Sequence, residues 1–139
     1  MRDGEPIPGS FAANDYLFTF APMDNIMWPV CGSDGYRIGT EEEYLKSISG
    51  AHDNICAGFI GDAFGAYRNE KEPERTELAA ELFENIRKKS DDIPLYVSCY
   101  GHEIEVLSNK IMKNIDGVIL WIEDSDDIPV INEFLDKLD

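Results

Sequence analysis

The stretch Ile93–Tyr100, with the sequence IPLYVSCY, decides the fold together with the residues that follow it. It is a short, largely apolar run, and the next segment places apolar residues at Ile104, Leu107 and Ile111. Apolar residues three and four positions apart indicate an amphipathic helix, and a short apolar run indicates a buried strand. The stretch therefore predicts a strand followed by a helix.

The same strand–helix pattern occurs four times along the chain. The four apolar runs are Tyr16–Met23, Ile55–Gly61, Ile93–Tyr100 and Val118–Ile122. We place the first strand over Tyr16–Ala21, ended by Pro22 because proline cannot donate a ladder hydrogen bond. A long loop is predicted over Met23–Gly39. Thr40 and Glu43 have the spacing of a capping box and predict the start of the next helix.

Strands that alternate with helices predict an α/β fold with a parallel sheet and right-handed crossovers. Two arrangements fit: a small doubly wound sheet of order 2-1-3-4, or half of a (β/α)8 barrel of order 1-2-3-4, which we favour. We expect residues 15–139 to form one domain and residues 1–14 to form an extended or disordered arm. A half barrel leaves an apolar face and two open edges, and so predicts a homodimer or another protein partner.

Composition narrows the function classes. The 139 residues include 12 Lys and Arg against 28 Asp and Glu, and 43% of them are hydrophobic, as in a folded globular chain. The net charge of −16 argues against nucleic-acid binding through phosphates. No apolar run approaches the roughly 20 residues of a membrane helix, and no signal peptide is recognisable, so we expect a cytoplasmic protein without membrane contact.

The sequence offers no motif for a metal or a cofactor. The three cysteines are far apart and form no CxxC pair, which argues against structural zinc. Neither GxGxxG nor GxxxxGK occurs, so a nucleotide cofactor has no support. We therefore predict no metal and no cofactor.

Polar and aromatic residues end or follow the predicted strands, where parallel sheets place functional groups. The candidate site residues are Asp24, Trp28, Asp62, Tyr100, His102, Glu103, Trp121 and Glu123. Each also has an ordinary structural interpretation: a turn or helix cap for the polar residues, and a core lid or loop anchor for the rings.

Three segments resemble glycosidase-like (β/α)8 barrel proteins. They are Ile93–Tyr100, Ile115–Trp121, and Phe20-Ala21-Pro22 with the later TEEEYL helix start at 40–45. The resemblance implies about half of such a barrel, a carbohydrate ligand and Glu123 as catalytic acid. The nucleophile of those enzymes comes from a seventh strand, which the four repeats do not include. Asp62 or Glu103 could substitute if the sheet curves enough to bring them near Glu123, and we predict Asp62 as base or nucleophile. The chain has Ile122 where those enzymes usually have asparagine. The alternative function is a non-enzymatic, acidic protein-interaction module, which the charge of −16 also fits.

Overall fold

The computed structural model describes residues 17–32, 35, 37–67, 69–90, 92–122 and 125–137. The strands are β1 (Ile26–Cys31), β2 (Ile55–Ile60), β3 (Leu95–Tyr100) and β4 (Gly117–Trp121). The helices are α1 (Glu41–Ala51), α2 (Glu74–Ser90), α3 (Asn109–Met112) and α4 (Ile131–Asp136). Short 3-10 helices span Ala63–Tyr67, Gly101–Val106 and Ser125–Val130. The predicted arm at 1–14 lies outside the described residues.

The four strands form one parallel sheet in the order β1-β2-β3-β4. This confirms the α/β class and the order 1-2-3-4. Each strand pairs with the next along the chain, so every crossover moves in the same direction across the sheet. Right-handed crossovers then place the linking helices on one face, and α1 packs on α2, which packs on α3.

The helix-covered face is closely packed around Gly58 in β2. A Cβ atom added there would lie 2.9 Å from Leu45 Cδ2 of α1 and 2.7 Å from Leu95 Cδ2 of β3. Both leucines are fully buried. Gly58 is therefore needed because the neighbouring side chains occupy the space that a side chain would take.

The opposite face carries the alternate residues of each strand. Phe59 pairs with Tyr96, Tyr96 pairs with Gly117, and Tyr100 pairs with Trp121. A Cβ atom at Gly117 would lie 2.7 Å from the Tyr96 ring, so the ring covers this glycine. We call this surface, which bears these residues and Ser98, the second face of the sheet.

The prediction of the first strand is wrong. Residues 17–20 are helical, and the strand lies at Ile26–Cys31, inside the segment predicted as a loop. Residues 26–31 form the strand because pairing with β2 buries Trp28 and Val30 on the helix-covered face. In the described sheet β1 is an edge strand, where Pro29 is tolerated because its missing N–H breaks no pairing.

The predicted capping box is also wrong. The Thr40 side chain makes no capping hydrogen bond at the start of α1. The carboxylate of Glu41 instead accepts hydrogen bonds from the Ile38 and Gly39 N–H groups, the latter at 2.8 Å. Gly39 has a φ of 95°, and this turn brings both N–H groups to the carboxylate. The turn at Gly39 and the Glu41 carboxylate, and not the Thr40 side chain, therefore stabilise the start of α1.

No helix within the described ranges is long and apolar enough to cross a membrane.

Candidate functional site

A cavity of about 180 Å³ opens on the second face at the carboxyl ends of the strands. All four strand ends contribute to it. Its described lining comprises Cys31, Gly32, Phe59, Gly61, Asp62, Ser98, Tyr100 and Trp121. We call it the first cavity. The sheet edge that the sequence predicted as the site is therefore concave and combines rings with a carboxylate.

Asp62 is the carboxylate in this lining, and its backbone is held in an unusual conformation. Its φ is 44°, in the left-handed region that aspartate tolerates better than most residues. The Asp62 N–H donates to Ser98 Oγ at 3.3 Å, and its carbonyl accepts the Gly65 N–H at 3.0 Å. Backbone conformations of this kind cluster at functional sites. Asp62 also lies directly before the 3-10 helix Ala63–Tyr67, so its position in the site coincides with the predicted turn.

Gly65 makes room for the Asp62 side chain. A Cβ atom at position 65 would lie 2.7 Å from Asp62 Oδ1 and 2.9 Å from its Cγ. The carboxylate therefore rests directly against the glycine backbone, and a larger residue there would displace it.

Aromatic rings form the rest of the first cavity. Tyr100 and Trp121 are partners across β3 and β4, and the Trp121 side chain is 53% exposed. The half-buried Phe59 lies on the same face of β2. An exposed indole beside a carboxylate is an arrangement that can bind a ligand with both apolar and polar surfaces.

A second cavity of about 400 Å³ adjoins the first and shares Asp62 and Tyr100 with it. Its described lining is completed by Phe64, Gly65, Arg75, His102 and Glu103. The His102 imidazole stacks on the Tyr100 ring, with centroids 5.7 Å apart and planes at 7°. Asp62 and Tyr100 therefore form the wall between two neighbouring spaces.

Glu103 has a structural role at this wall. It is buried, its Oε2 accepts the Tyr100 N–H at 3.0 Å, and its Oε1 lies 3.8 Å from Arg75 Nη2. Arg75 Nε is buried without a hydrogen-bond partner among the described residues. This donor is enclosed by protein and is not open to the second cavity.

The structure brings five of the predicted site residues together and separates two others. Asp62, Tyr100, Trp121, His102 and Glu103 line the two cavities. The eighth candidate, Glu123, lies outside the described residues.

Asp24 and Trp28 do not belong to the two cavities, because the first strand lies later than predicted. Asp24 precedes β1 and is exposed at the opposite, amino-terminal end of the sheet. Trp28 lies inside β1, is 4% exposed, and packs against Tyr44 at a ring distance of 5.9 Å. Trp28 is a core residue and not a loop residue.

Eight described cavity residues are not among the sequence candidates: Gly32, Gly61, Phe64 and Gly65, and also Ser98, Phe59, Cys31 and Arg75. Ser98 and Phe59 share the second face with Tyr100, and their alternation along the strands was a usable signal. Cys31 was assigned to the loop, but it ends β1 and is buried. Arg75 lies in the first turn of α2, and no local pattern marks it as a cavity residue.

The chemistry of the site centres on oxygen atoms and rings. No group of three or more His, Cys, Asp or Glu side chains within the described part of the chain could hold a metal ion. Burial, and then the negative charge of Glu103, raise the pKa of the nearby Cys99 to about 11, so this thiol is protonated at neutral pH. The arrangement can bind a ligand through hydrogen bonds to a carboxylate and contact with aromatic faces.

Comparisons with protein families, with curated proteins and with solved structures find no match for this chain. A four-stranded parallel α/β fold supports many chemistries, so function is argued from the site.

Proposed function

We propose that the protein is a carbohydrate-binding, glycoside hydrolase-like domain whose ligand occupies the first cavity. One observation carries the proposal: strands β2, β3 and β4 bring Asp62, Tyr100 and Trp121 to the same cavity. A sugar presents hydroxyl groups around its ring and apolar C–H groups on its faces. The carboxylate accepts hydrogen bonds from the hydroxyl groups, and the exposed indole covers an apolar face of the sugar.

Binding is tested by titration calorimetry with cellobiose, maltose, xylobiose and chitobiose. A sugar that covers about 60 Å² of the exposed Trp121 ring gains about 1.5 kcal/mol at about 25 cal/mol per Å². We therefore expect Trp121→Ala to weaken binding roughly tenfold. Asp62→Asn removes a charged acceptor that is worth about 1.5–3 kcal/mol, so we expect a loss of about 10–100-fold.

Matched controls lie away from the cavity. Phe18 is an aromatic residue that is 76% exposed, and Asp24 is an exposed carboxylate at the opposite end of the sheet. Phe18→Ala and Asp24→Asn should leave sugar affinity unchanged. The proposal is wrong if none of the sugars binds with a Kd of about 10 mM or lower, which corresponds to a binding free energy of about 2.7 kcal/mol. It is also wrong if the cavity variants bind like the controls.

The enzymatic part of the proposal assigns Glu123 as acid and Asp62 as base or nucleophile. Hydrolysis of a glycosidic bond ordinarily needs two carboxyl groups about 5–10 Å apart. Glu103 is the other carboxylate near Asp62 in the described lining, but Tyr100 and Arg75 already engage it. Glu123 is therefore the partner that we propose.

Hydrolysis is tested with p-nitrophenyl glycosides of the sugars that bind. Asp62→Asn and Glu123→Gln should each lower kcat by about 10²–10⁴-fold, the usual contribution of a general acid or base. Turnover that survives both substitutions would reject the assignment, whereas binding without turnover would leave a carbohydrate-binding domain.

A second candidate function is a protein-interaction module, and the second face of the sheet favours it. The linking helices occupy the other face, and Met27, at 41% exposure, and Trp121 are exposed large side chains on β1 and β4. Two copies joined through these edge strands would complete eight strands. Light scattering should then give twice the 15.7 kDa of one chain.

The interface is tested with Met27→Glu, which should give the mass of a single chain. Repeating the measurement at 0.5 M salt screens repulsion between two chains of charge −16. A single-chain mass for the unaltered protein at both salt concentrations and at millimolar protein would reject this candidate.

A further inference from the structure

The first cavity combines aromatic faces with a negative charge. Among the described residues that line it, Asp62 is the charged one, and Phe59, Tyr100 and Trp121 supply three rings. The faces of aromatic rings attract cations, and such rings recognise ammonium groups in many binding sites. The lining therefore has the composition of a site for a positively charged group.

The net charge of the whole chain also favours a positively charged ligand. With a net charge of −16, the protein attracts cations and repels anions over distances of about a Debye length. A sugar with a carboxylate in the first cavity would place that group beside Asp62 and inside this field. A sugar with an ammonium group would be attracted by both.

The second cavity is less suited to a cation. Arg75 lines it, 3.8 Å from Glu103, so a cation there would meet a guanidinium as well as the carboxylates of Asp62 and Glu103. An ammonium group is consequently better placed in the first cavity, on the Trp121 side of the wall formed by Asp62 and Tyr100.

We propose that the sugar bound in the first cavity is an amino sugar, whose protonated amine lies between the Asp62 carboxylate and the rings of Tyr100 and Trp121. This inference rests on the proposed carbohydrate-binding function and adds the class of sugar. The Asp62 backbone is fixed before the ligand arrives, because its N–H donates to Ser98 Oγ, and its carboxylate rests against Gly65.

The test compares the methyl glycosides of glucosamine, N-acetylglucosamine, glucose and glucuronic acid by calorimetry at pH 6.5 and low salt. We expect the glucosamine derivative to bind at least tenfold tighter than the glucose derivative, and the glucuronic acid derivative to bind most weakly. Acetylation should remove the advantage because it removes the charge. Added salt should reduce the advantage because it screens the field of the chain.

Substitutions at Asp62 and Trp121 test where the amine of the sugar lies. Asp62→Asn should reduce the ratio of glucosamine to glucose affinity to about two or less, and Asn also tolerates the backbone conformation at this position. Trp121→Leu should reduce the same ratio, whereas the matched control Asp24→Asn should leave it unchanged.

The outcomes separate this inference from the proposed function. Equal binding of the amino and acetylated sugars would overturn the amino-sugar inference while leaving carbohydrate binding intact. An amine preference that Asp24→Asn lowers as much as Asp62→Asn would also overturn it, because surface charge would then be the cause. Absence of binding by all four sugars would overturn the amino-sugar inference, and absence of binding by the four disaccharides as well would overturn both.

Discussion

The substitution Gly58→Ala tests directly which face of the sheet the helices cover. Gly58 lies in β2 beneath α1, and the added methyl group would meet Leu95 at 2.7 Å and Leu45 at 2.9 Å, with Val30 at 3.6 Å. Real Cβ atoms essentially never approach other atoms below 3.0 Å. The three neighbours are fully buried, so none can turn into solvent to make room.

The expected cost follows from overpacking. Inserting a methyl group into a packed core typically costs about 1–3 kcal/mol. Replacing glycine also reduces the conformational entropy of the unfolded chain, which offsets about 0.4–1 kcal/mol. We therefore expect Gly58→Ala to lower the free energy of unfolding by about 1–2 kcal/mol, and Tm by about 3–8 °C for a chain of this size.

Gly50→Ala is the matched control for this experiment. Gly50 lies near the end of α1 with nothing within 4 Å of an added Cβ, so alanine there should raise stability by up to about 1 kcal/mol. Thermal and urea unfolding followed by far-UV circular dichroism measure both changes. If Gly58→Ala is as stable as the unaltered protein while Gly50→Ala is more stable, the packing of α1 on β2 is wrong. The assignment of the first cavity to the opposite face would then be wrong as well.

Three further predictions concern stability and reactivity. Burial raises the pKa of Asp116, but hydrogen bonds from the Leu95 N–H and from Arg87 lower it to a net value below the ordinary one. The ionised carboxylate therefore stabilises the fold above about pH 4. This contribution is lost as the pH falls through the lowered pKa. Asp116→Asn should therefore make Tm depend less steeply on pH in the acid range. Cys99, with its pKa of about 11, should react far more slowly with Ellman's reagent at pH 8 in the native protein than in urea, and equal rates would contradict its burial. Phe83 is fully buried, so Phe83→Ala should cost about 3–5 kcal/mol in urea unfolding, and a loss below 1 kcal/mol would contradict its place in the core.

The later part of the fold was predictable because its strands are short apolar runs with clear ends. The apolar run Ile55–Gly61 matches β2 to within one residue, and the runs Ile93–Tyr100 and Val118–Ile122 match β3 and β4 to within about two residues. The first strand was missed because Ile26–Cys31 contains a proline and lies among loop-forming residues. Its identity depends on pairing with β2, and local sequence does not reveal such long-range pairing.

The site was predictable to the extent that it depends on strand ends. Asp62 and Tyr100 were found because they follow or end strands that were placed correctly. Asp24 was misassigned because the error in the first strand moved it to the wrong end of the sheet. Arg75 could not be found, because its place in the second cavity depends on how α2 packs and not on neighbouring residues.

The contrasting environments of the two tryptophans give the protein two separate optical reporters. Trp28 is enclosed in the core, whereas about half of the Trp121 surface is open to water at the cavity. Emission from Trp28 should be blue-shifted and insensitive to dissolved quenchers, and should change only when the chain unfolds. Emission from Trp121 should respond to quenchers, and more to caesium than to iodide, because a chain of charge −16 gathers the cation and repels the anion. A bound ligand that covers the indole would shield it, so folding and site occupancy can be followed in the same sample at different wavelengths.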